Sequence, residues 1–447
     1  MSHFQDIENC YSLIGKHESS VNSFITLRDK ETVLAELKIA NKSSSPLAGI
    51  PYVMKDGYAT KGIRTTAASN VLKNFVPPYD STVYQSLKKA GAILLGKMNM
   101  DAWGHGGSTE NTDFGPTKNP WDLSRVAGGS SGGPAAAIAA RFAKFAIGED
   151  TGGSIRNPAA WNNITGLKVT YGRVSRYGAI AYASSFDTVG PMAKTAKECA
   201  LILREIAGID PYDSTSSPEP IPDYVNLLGE SVSNIKIGIP HEMLGDGLDP
   251  EIRATILEAA KTFHKMGITL VDIKLPIAEI ALAAYYLIAP SETSSNLSRY
   301  DGIRFGQNRE HFTRETMRRI LIGTYALSTG YYDAYYVKAQ KVRTLLIRAY
   351  QAALSQCDAI MMPVNPTMPP MFGELISDPL ASYLSDIYTC SINPVGIPAL
   401  AIPVGFSKTN LPIGMQLVGE KFSEELLLRL GHQYQCVTDW HTRSPKL

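Results

Sequence analysis

Short apolar runs alternate along this chain with longer stretches of helical period. The runs "GAILLG" (91–96), "FAIG" (145–148), "IKIGIP" (235–240), "ITLVDIKLP" (268–276), "AIMMPV" (359–364) and "ALAIPV" (399–404) each contain or end in Gly or Pro. That is the pattern of buried strands closed by turns. Between them, apolar residues spaced three and four apart predict helices in "DSTVYQSLKKAG", "TAKECALILREIAG", "DPEIRATILEAAKTFHKMG", "YYDAYYVKAQKVRTLLIRAYQAAL" and "SEELLLRLGHQYQ". Asp80 and Asp249 stand as N-caps of the first and third. Strand–helix alternation over the whole length predicts an α/β fold, one extended sheet with helices on both faces. The Pro-rich stretch 210–224 reads as a hinge or long surface loop. Strands continue after it, so a single domain over 1–447 is expected. Its parts are a short N-terminal helical segment (1–45), a Gly-rich region (46–209), the Pro-rich loop and a C-terminal region (225–447).

Charge narrows the partners. With 43 basic and 42 acidic residues the net charge is +1, which argues against a broad nucleic-acid or membrane-surface face. Cys10, Cys199, Cys357, Cys390 and Cys436 form no CxxC pair, so reduced thiols are expected rather than a disulfide framework or a zinc site. The most membrane-like stretch, "AAAIAARFAKFAIG", is broken by Arg141 and Lys144. The N-terminal "MSHFQDIENCYSL" carries Asp6 and Glu8 and reads as neither secretory signal nor transit peptide. A soluble intracellular protein is the expectation.

The chemistry lies in the Gly-rich region. "VAGGSSGGPAAA" (126–137) lacks the Lys-Ser or Lys-Thr of a phosphate loop and the spacing of a dinucleotide fingerprint. Read as a nucleophile elbow around Ser130 or Ser131, it would need a downstream acid and then a His. His241, His264, His311, His432 and His441 follow, so that option stays open on the motif alone. A second stretch, "GEDTGGSIRNPA" (148–159), sets Gly152 and Gly153 directly before Ser154. Such a turn can aim backbone N–H groups and a hydroxyl at one point, as acyl transfer requires. Upstream, "LAGIPYVMKDG" places Lys55 in an apolar run, where a desolvated lysine can serve as a base. The alternative is a snorkelling lysine paired with Asp56. "SLKK" (86–89) fits another amide-hydrolase pattern, but its polar surroundings read as a solvated helix face.

Taken together, "GIPYVMKDG", "GGSSGGPAAA" and "EDTGGSIRNPAA" resemble the amidase signature family, with 75 residues from Lys55 to Ser130 and 24 from Ser130 to Ser154 as that family spaces them. The resemblance implies one large mixed sheet covered by helices on both faces, and a Ser–Ser–Lys triad that hydrolyses carboxamides. Ser154 would be the nucleophile, Ser130, with a cis peptide, the proton relay, and Lys55 the terminal base. Backbone N–H groups of Thr151, Gly152, Gly153 and Ser154 would form the oxyanion hole, and Ser131 would lie outside the relay. Asp150 and Arg156 are assigned to fixing the nucleophile loop.

Further segments, at 296–306, 327–346 ("LSTGYYDAYYVKAQKVRTLL") and 411–430, look like the family of A subunits of glutamyl-tRNA(Gln) amidotransferases. That likeness implies glutamine as substrate, with Arg319, Asp386 and Tyr286 (or its neighbour Tyr285) in the pocket. It also implies a B subunit that uses ATP and magnesium to amidate Glu-tRNA, and a small third subunit. No cofactor or metal is expected in this chain itself. Departures from the family pattern include Trp103, Gly104 and His105 beside the expected pocket, Ala127 where Pro is common, and little helix-forming sequence before residue 22. The short start is similar to fungal mitochondrial versions and implies a mitochondrial matrix protein, with a bacterial-type cytoplasm as the alternative. A standalone amidase for small or fatty amides is the rival function. It would need a more apolar pocket without Arg319 and Asp386.

Overall fold

Among the described residues, strands run in chain order as β1 (Phe24–Leu27), β2 (Pro51–Lys55), β3 (Ile93–Met98), β4 (Lys118–Asn119), β5 (Asp122–Val126), β6 (Phe145–Asp150) and β7 (Thr165–Lys168). There follow β8 (Thr188–Ala193), β9 (Lys236–Pro240), β10 (Thr269–Ile273), β11 (Ala359–Pro363), β12 (Ala399–Phe406) and β13 (Pro412–Gly419). The computed structural model describes residues 3–40, 43–304 and 306–447, so Phe305 of the 296–306 segment lies outside it. β4 and β5 pair as a separate ribbon. The other eleven form one sheet in the order β1-β3-β2-β6-β8-β7-β12-β13-β11-β9-β10. It is mixed: β3, β2 and β6 are mutually parallel, as are β11, β9 and β10, and antiparallel pairs join these two blocks.

Both faces of the sheet are buried, which is why its strands read as unbroken apolar runs. In β2, Tyr52 and Met54 enter one core while Val53 enters the other. In β6, Phe145 and Ile147 divide in the same way from Ala146. The first core is closed by α3 (Thr82–Lys89) and α6 (Ala196–Ile206). α1 (His3–Val21), α2 (Lys30–Ala40), α4 (Gly132–Ala139) and α5 (Arg156–Trp161) close the second. Each Leu, Ile, Val or Met buried this way contributes about 1.5–3 kcal/mol, so neither face could stay open. The helices expected at 249–267 and 331–354 are α7 (Pro250–Lys265) and, after a π-turn, α10 (Lys338–Leu354). Between them lie α8 (Ala278–Asn296) and α9 (Arg314–Ala326), which carry the pocket residues.

All six apolar runs named from the sequence are strands, shifted by at most a few residues. β7, β8 and β13 escaped notice because Lys, Gly and Pro interrupt them; Lys168 is nevertheless wholly buried, donating to the carbonyls of Val169 and Ile397. Asp249 caps α7 as expected, accepting from the Glu251 amide. Asp80 does not cap α3: Ser81 occupies that position, and the Asp80 carboxylate accepts from the Lys61 amide at 2.6 Å instead. The N-terminus is also corrected. α1 occupies His3–Val21, its buried Ile7, Cys10, Ile14 and Val21 forming one face, and Lys144–Asp6 and Lys30–Glu8 ion pairs tie it down. The Pro-rich loop is pinned at its start, where Asp210 accepts from the Ser175 and Thr82 hydroxyls. No helix among the described residues is long and apolar enough to cross a membrane.

Candidate active site

The carboxyl ends of β3, β2 and β6 lie side by side, because neighbouring parallel strands end on the same edge of a sheet. Such an edge is where α/β folds place ligands. Lys55 ends β2, Glu149 and Asp150 end β6, and Asp101 follows β3. Two Gly-rich turns close over this edge, one leading into α4 and one into α5. The Gly129–Ser130 peptide is cis. A Cβ on Gly129 would lie 2.0 Å from Asp101 Oδ2 and 2.7 Å from the Ser108 nitrogen, so no larger residue fits. The Ser131 amide donates to the Ser154 carbonyl at 3.2 Å, holding the two turns together.

Lys55 and Ser130 meet: Nζ is 2.8 Å from Oγ, and both side chains are buried. Asp56 is not the partner of Lys55. It pairs with Lys97 at 3.5 Å and accepts from Thr66. Ser131 bonds the backbone of Glu149 in both directions, at 3.2 and 3.3 Å, and so stays out of the Lys55 contact.

An ion pair beneath it shapes the nucleophile loop. Asp150 and Arg156 are wholly buried and 3.0 Å apart. Arg156 also donates to Gln416, Asn393 and the Thr389 carbonyl, at 2.8, 2.8 and 3.1 Å. Burial alone would raise the Asp150 carboxyl, but the Arg156 guanidinium outweighs it and holds the group far below the usual range. Asp150 then accepts from the amides of Gly153 and Ile155, at 2.9 and 3.1 Å, folding the loop around itself. The Gly153 N–H is therefore engaged. Among the described residues nothing accepts from the N–H of Thr151, Gly152 or Ser154.

The walls of the loop are equally specific. Gly152 lies against Tyr285, where a Cβ would sit 2.4 Å from the phenol oxygen. Gly153 has φ +136°, and a Cβ there would meet Thr389 Oγ1 at 2.4 Å. The Thr151 hydroxyl donates to Asp187 at 2.7 Å. Asp187 also accepts from the amides of Tyr182 and Ala183, while burial, helped by nearby Glu149, pushes its carboxyl up to about 8. Burial takes Asp101 up to about 7.

The three pocket residues named from the sequence also come together. Arg319, 3% exposed on α9, holds its guanidinium 5.4 Å from the ring centre of Tyr286, 5.6 Å from Tyr182 and 5.8 Å from Tyr383. It donates to Glu315 at 2.8 Å and to the Tyr182 hydroxyl. The Tyr286 hydroxyl donates to Asp386 at 2.7 Å, and burial pushes that carboxyl up to about 6. Tyr285 packs edge-on to Tyr286, so the Arg319 cluster runs without a break to Gly152 of the nucleophile loop. His105 sits behind Tyr182, between the hydroxyls of Thr316 and Thr293, both 3.2 Å away. Burial holds it neutral.

Sequence reasoning missed Glu149, Asp101, Asp187, Tyr182, Tyr383 and Glu315. Glu149 adjoins a recognised segment, but nothing in one dimension says it faces Lys55, 94 residues away. A cleft of about 930 Å³ lined by Asn70, Tyr79, Ile180, Asn296, Tyr300 and His311 touches none of the three candidate catalytic residues. No group of three metal-ligating side chains is present among the described residues.

The chain belongs to the amidase family, whose pattern it matches over residues 6–428. Within that class, it is 49% identical to the A subunit of the glutamyl-tRNA(Gln) amidotransferase of Desulfatibacillum aliphaticivorans, over 96% of this chain and 93% of the relative. To its counterpart of the same name in Geobacter metallireducens it is 50% identical, over 95% and 92%. A crystal structure of the Thermotoga maritima counterpart superposes with a TM-score of 0.83 at 39% identity, covering 96% of this chain and 90% of the other. A 6-aminohexanoate cyclic dimer hydrolase superposes at 0.89 with 26% identity, covering 100% and 96%. One fold thus carries quite different amide substrates, so pocket residues rather than fold decide the substrate. The α/β architecture and the family are those expected from the sequence.

Proposed function

We propose that this chain is the glutamine-hydrolysing A subunit of a tRNA-dependent glutamyl amidotransferase. The observation that carries the reading is the cluster of Arg319, Tyr286 and Asp386 joined through Tyr285 to Gly152 beside Ser154. Identity near 50% to proteins of that name over almost the whole chain supports it. Glutamine carries a carboxylate and an ammonium besides its amide. Arg319 suits the first and Asp386 the second.

Ser154 Oγ attacks the side-chain amide carbon, passing its proton to Ser130 as Ser130 passes its own to neutral Lys55. The developing oxyanion is met by the free N–H groups of Thr151 and Gly152, and losing one such donor typically costs about 10²–10³ in rate. The proton returns through Ser130 to the amide nitrogen as the C–N bond breaks, releasing ammonia and leaving a glutamyl ester on Ser154. Water then attacks that ester, its proton taken up by the same relay and returned to Ser154 as glutamate leaves.

The ammonia passes to a B subunit, which uses ATP and magnesium to amidate Glu-tRNA(Gln), in a complex with a small third subunit. The free, mostly buried cysteines support a reducing compartment. The mitochondrial matrix is our proposal and a bacterial-type cytoplasm the alternative, to be decided by locating a tagged chain in its native cell. Ammonia release from glutamine is the direct test, on the chain purified with its bound partners. Wild type is expected to release it, and an analogue lacking the α-carboxylate to be a poor substrate. Hydrolysis of simple amides but not of glutamine would overturn the assignment.

A further inference from the structure

The Nζ of Lys55 has three oxygens around it: Ser130 Oγ at 2.8 Å, Glu149 Oε2 at 3.4 Å and the Glu149 carbonyl at 3.5 Å. A neutral amine offers two N–H bonds and one lone pair. A carbonyl and a carboxylate can only accept, whereas a hydroxyl can also give up a proton. The two oxygens of Glu149 therefore take the N–H bonds, and the lone pair is left facing Ser130. Among the described residues the Glu149 side chain bonds nothing but Lys55. It is 3% exposed, Oε2 has Lys55 as its one side-chain partner, and Oε1 makes no hydrogen bond among the described residues. So few partners leave a buried carboxylate costly: burial pushes the Glu149 carboxyl up, and positive charge on Lys55 works against that.

We propose that Glu149 is a positioning residue of the relay: it holds the amine of Lys55 with its lone pair towards Ser130, and its carboxylate balances the positive charge that forms on Lys55 as the proton arrives. The inference rests on the Ser154–Ser130–Lys55 reading given above. The step balances: one O–H bond of Ser130 breaks, one N–H bond of Lys55 forms, and Glu149 exchanges no proton. The other charged or titratable groups facing the pair are Asp101 after β3, Tyr58 after β2, His105, Asp150, Arg176 and Asp187.

The sign of the expected effect follows from charge. Burial lowers lysines elsewhere in this chain, to about 8 at Lys97 and about 7 at Lys168, and a neighbouring carboxylate works against that. Removing the charge of Glu149 takes away the carboxylate 3.4 Å from the Lys55 amine, so the positive charge that forms there as the proton arrives is no longer balanced. The measurement is the pH profile of kcat/KM for glutamine hydrolysis by the chain with its bound partners. In Glu149→Gln the acidic limb is expected to move down by at least about one pH unit, with kcat falling roughly tenfold to a hundredfold. Glu149→Asp keeps the charge and should keep the limb in place while losing rate.

The limb should be strongly temperature-dependent, as amine ionisation is and carboxyl ionisation is not, which separates Lys55 from Asp101 and Asp187. Should Glu149→Gln fail to fold, Glu149→Ala carries the same expectation. A limb that stays put while kcat falls is what a purely structural role would give, and it overturns the proposal. Activity surviving in Lys55→Ala would instead bring down the relay reading itself.

Discussion

Ser154 is 7% exposed and its hydroxyl holds no hydrogen bond among the described residues, so replacing it breaks no contact that the fold relies on. Ser154→Ala should lower glutamine turnover by roughly 10³-fold or more, with the melting temperature nearly unchanged. Equal loss of both would make Ser154 a strut instead of a nucleophile. Arg319 is the contrasting case, since its fork is already shared with Glu315 and Tyr182. Arg319→Lys keeps the charge and loses the planar fork. The KM for glutamine should rise about tenfold or more, the value of one charge-assisted hydrogen bond, while kcat changes little. Steady-state kinetics with glutamine and with its decarboxylated analogue separates the two parameters, because the analogue should not notice the change.

At the scale of elements, the same type of substitution has opposite consequences depending on what the element supports. Asp249 caps α7, which packs on β10, β11, β12 and β13. Asp249→Ala should cost about 1 kcal/mol of stability and leave kinetics untouched. Gly152 lies in the turn between β6 and α5, with Tyr285 directly over it. A methyl group there must push either the ring or the turn, an overpacking cost of about 1–3 kcal/mol. Because Tyr285 leads on to Tyr286 and Asp386, Gly152→Ala should also lower kcat/KM by about a hundredfold, comparable to losing an oxyanion donor. Thermal unfolding and kinetics on the two variants test the contrast.

For the whole molecule, buried carboxyls set how stability depends on pH. Asp101 and Asp187 are raised to about 7 and about 8, against about 3.9 in an unfolded chain. A raised carboxyl contributes stability that is fully present below the unfolded value and is lost as pH climbs through the folded one. Asp150 is depressed by Arg156 and works the other way, its contribution present above about pH 4 and lost on strong acidification. The melting temperature should therefore peak near about pH 4, fall as pH rises from there to about 8, and level off beyond. Asp187→Asn, which cannot ionise, should flatten that fall. An unchanged slope in the variant would show that other groups govern it.

The sequence by itself determined the class of fold and the chemistry it carries. Runs such as 145–148 and 359–364 are apolar throughout because both sheet faces are covered, and that pattern survives in one dimension. The Gly-rich turns are equally legible, since Gly129 and Gly152 stand where no Cβ fits. Strands broken by Lys, Gly or Pro were hidden, as was α1, whose apolar face is only a few residues wide. Tertiary structure alone decided which charges meet. Lys55 faces Glu149 and not its neighbour Asp56, and the Asp80 carboxylate accepts from the Lys61 backbone amide and not from the helix after it. The reason is physical: backbone periodicity and close packing are local demands written residue by residue, whereas a buried charge takes whichever partner the folded sheet brings within a few ångströms, however distant in sequence.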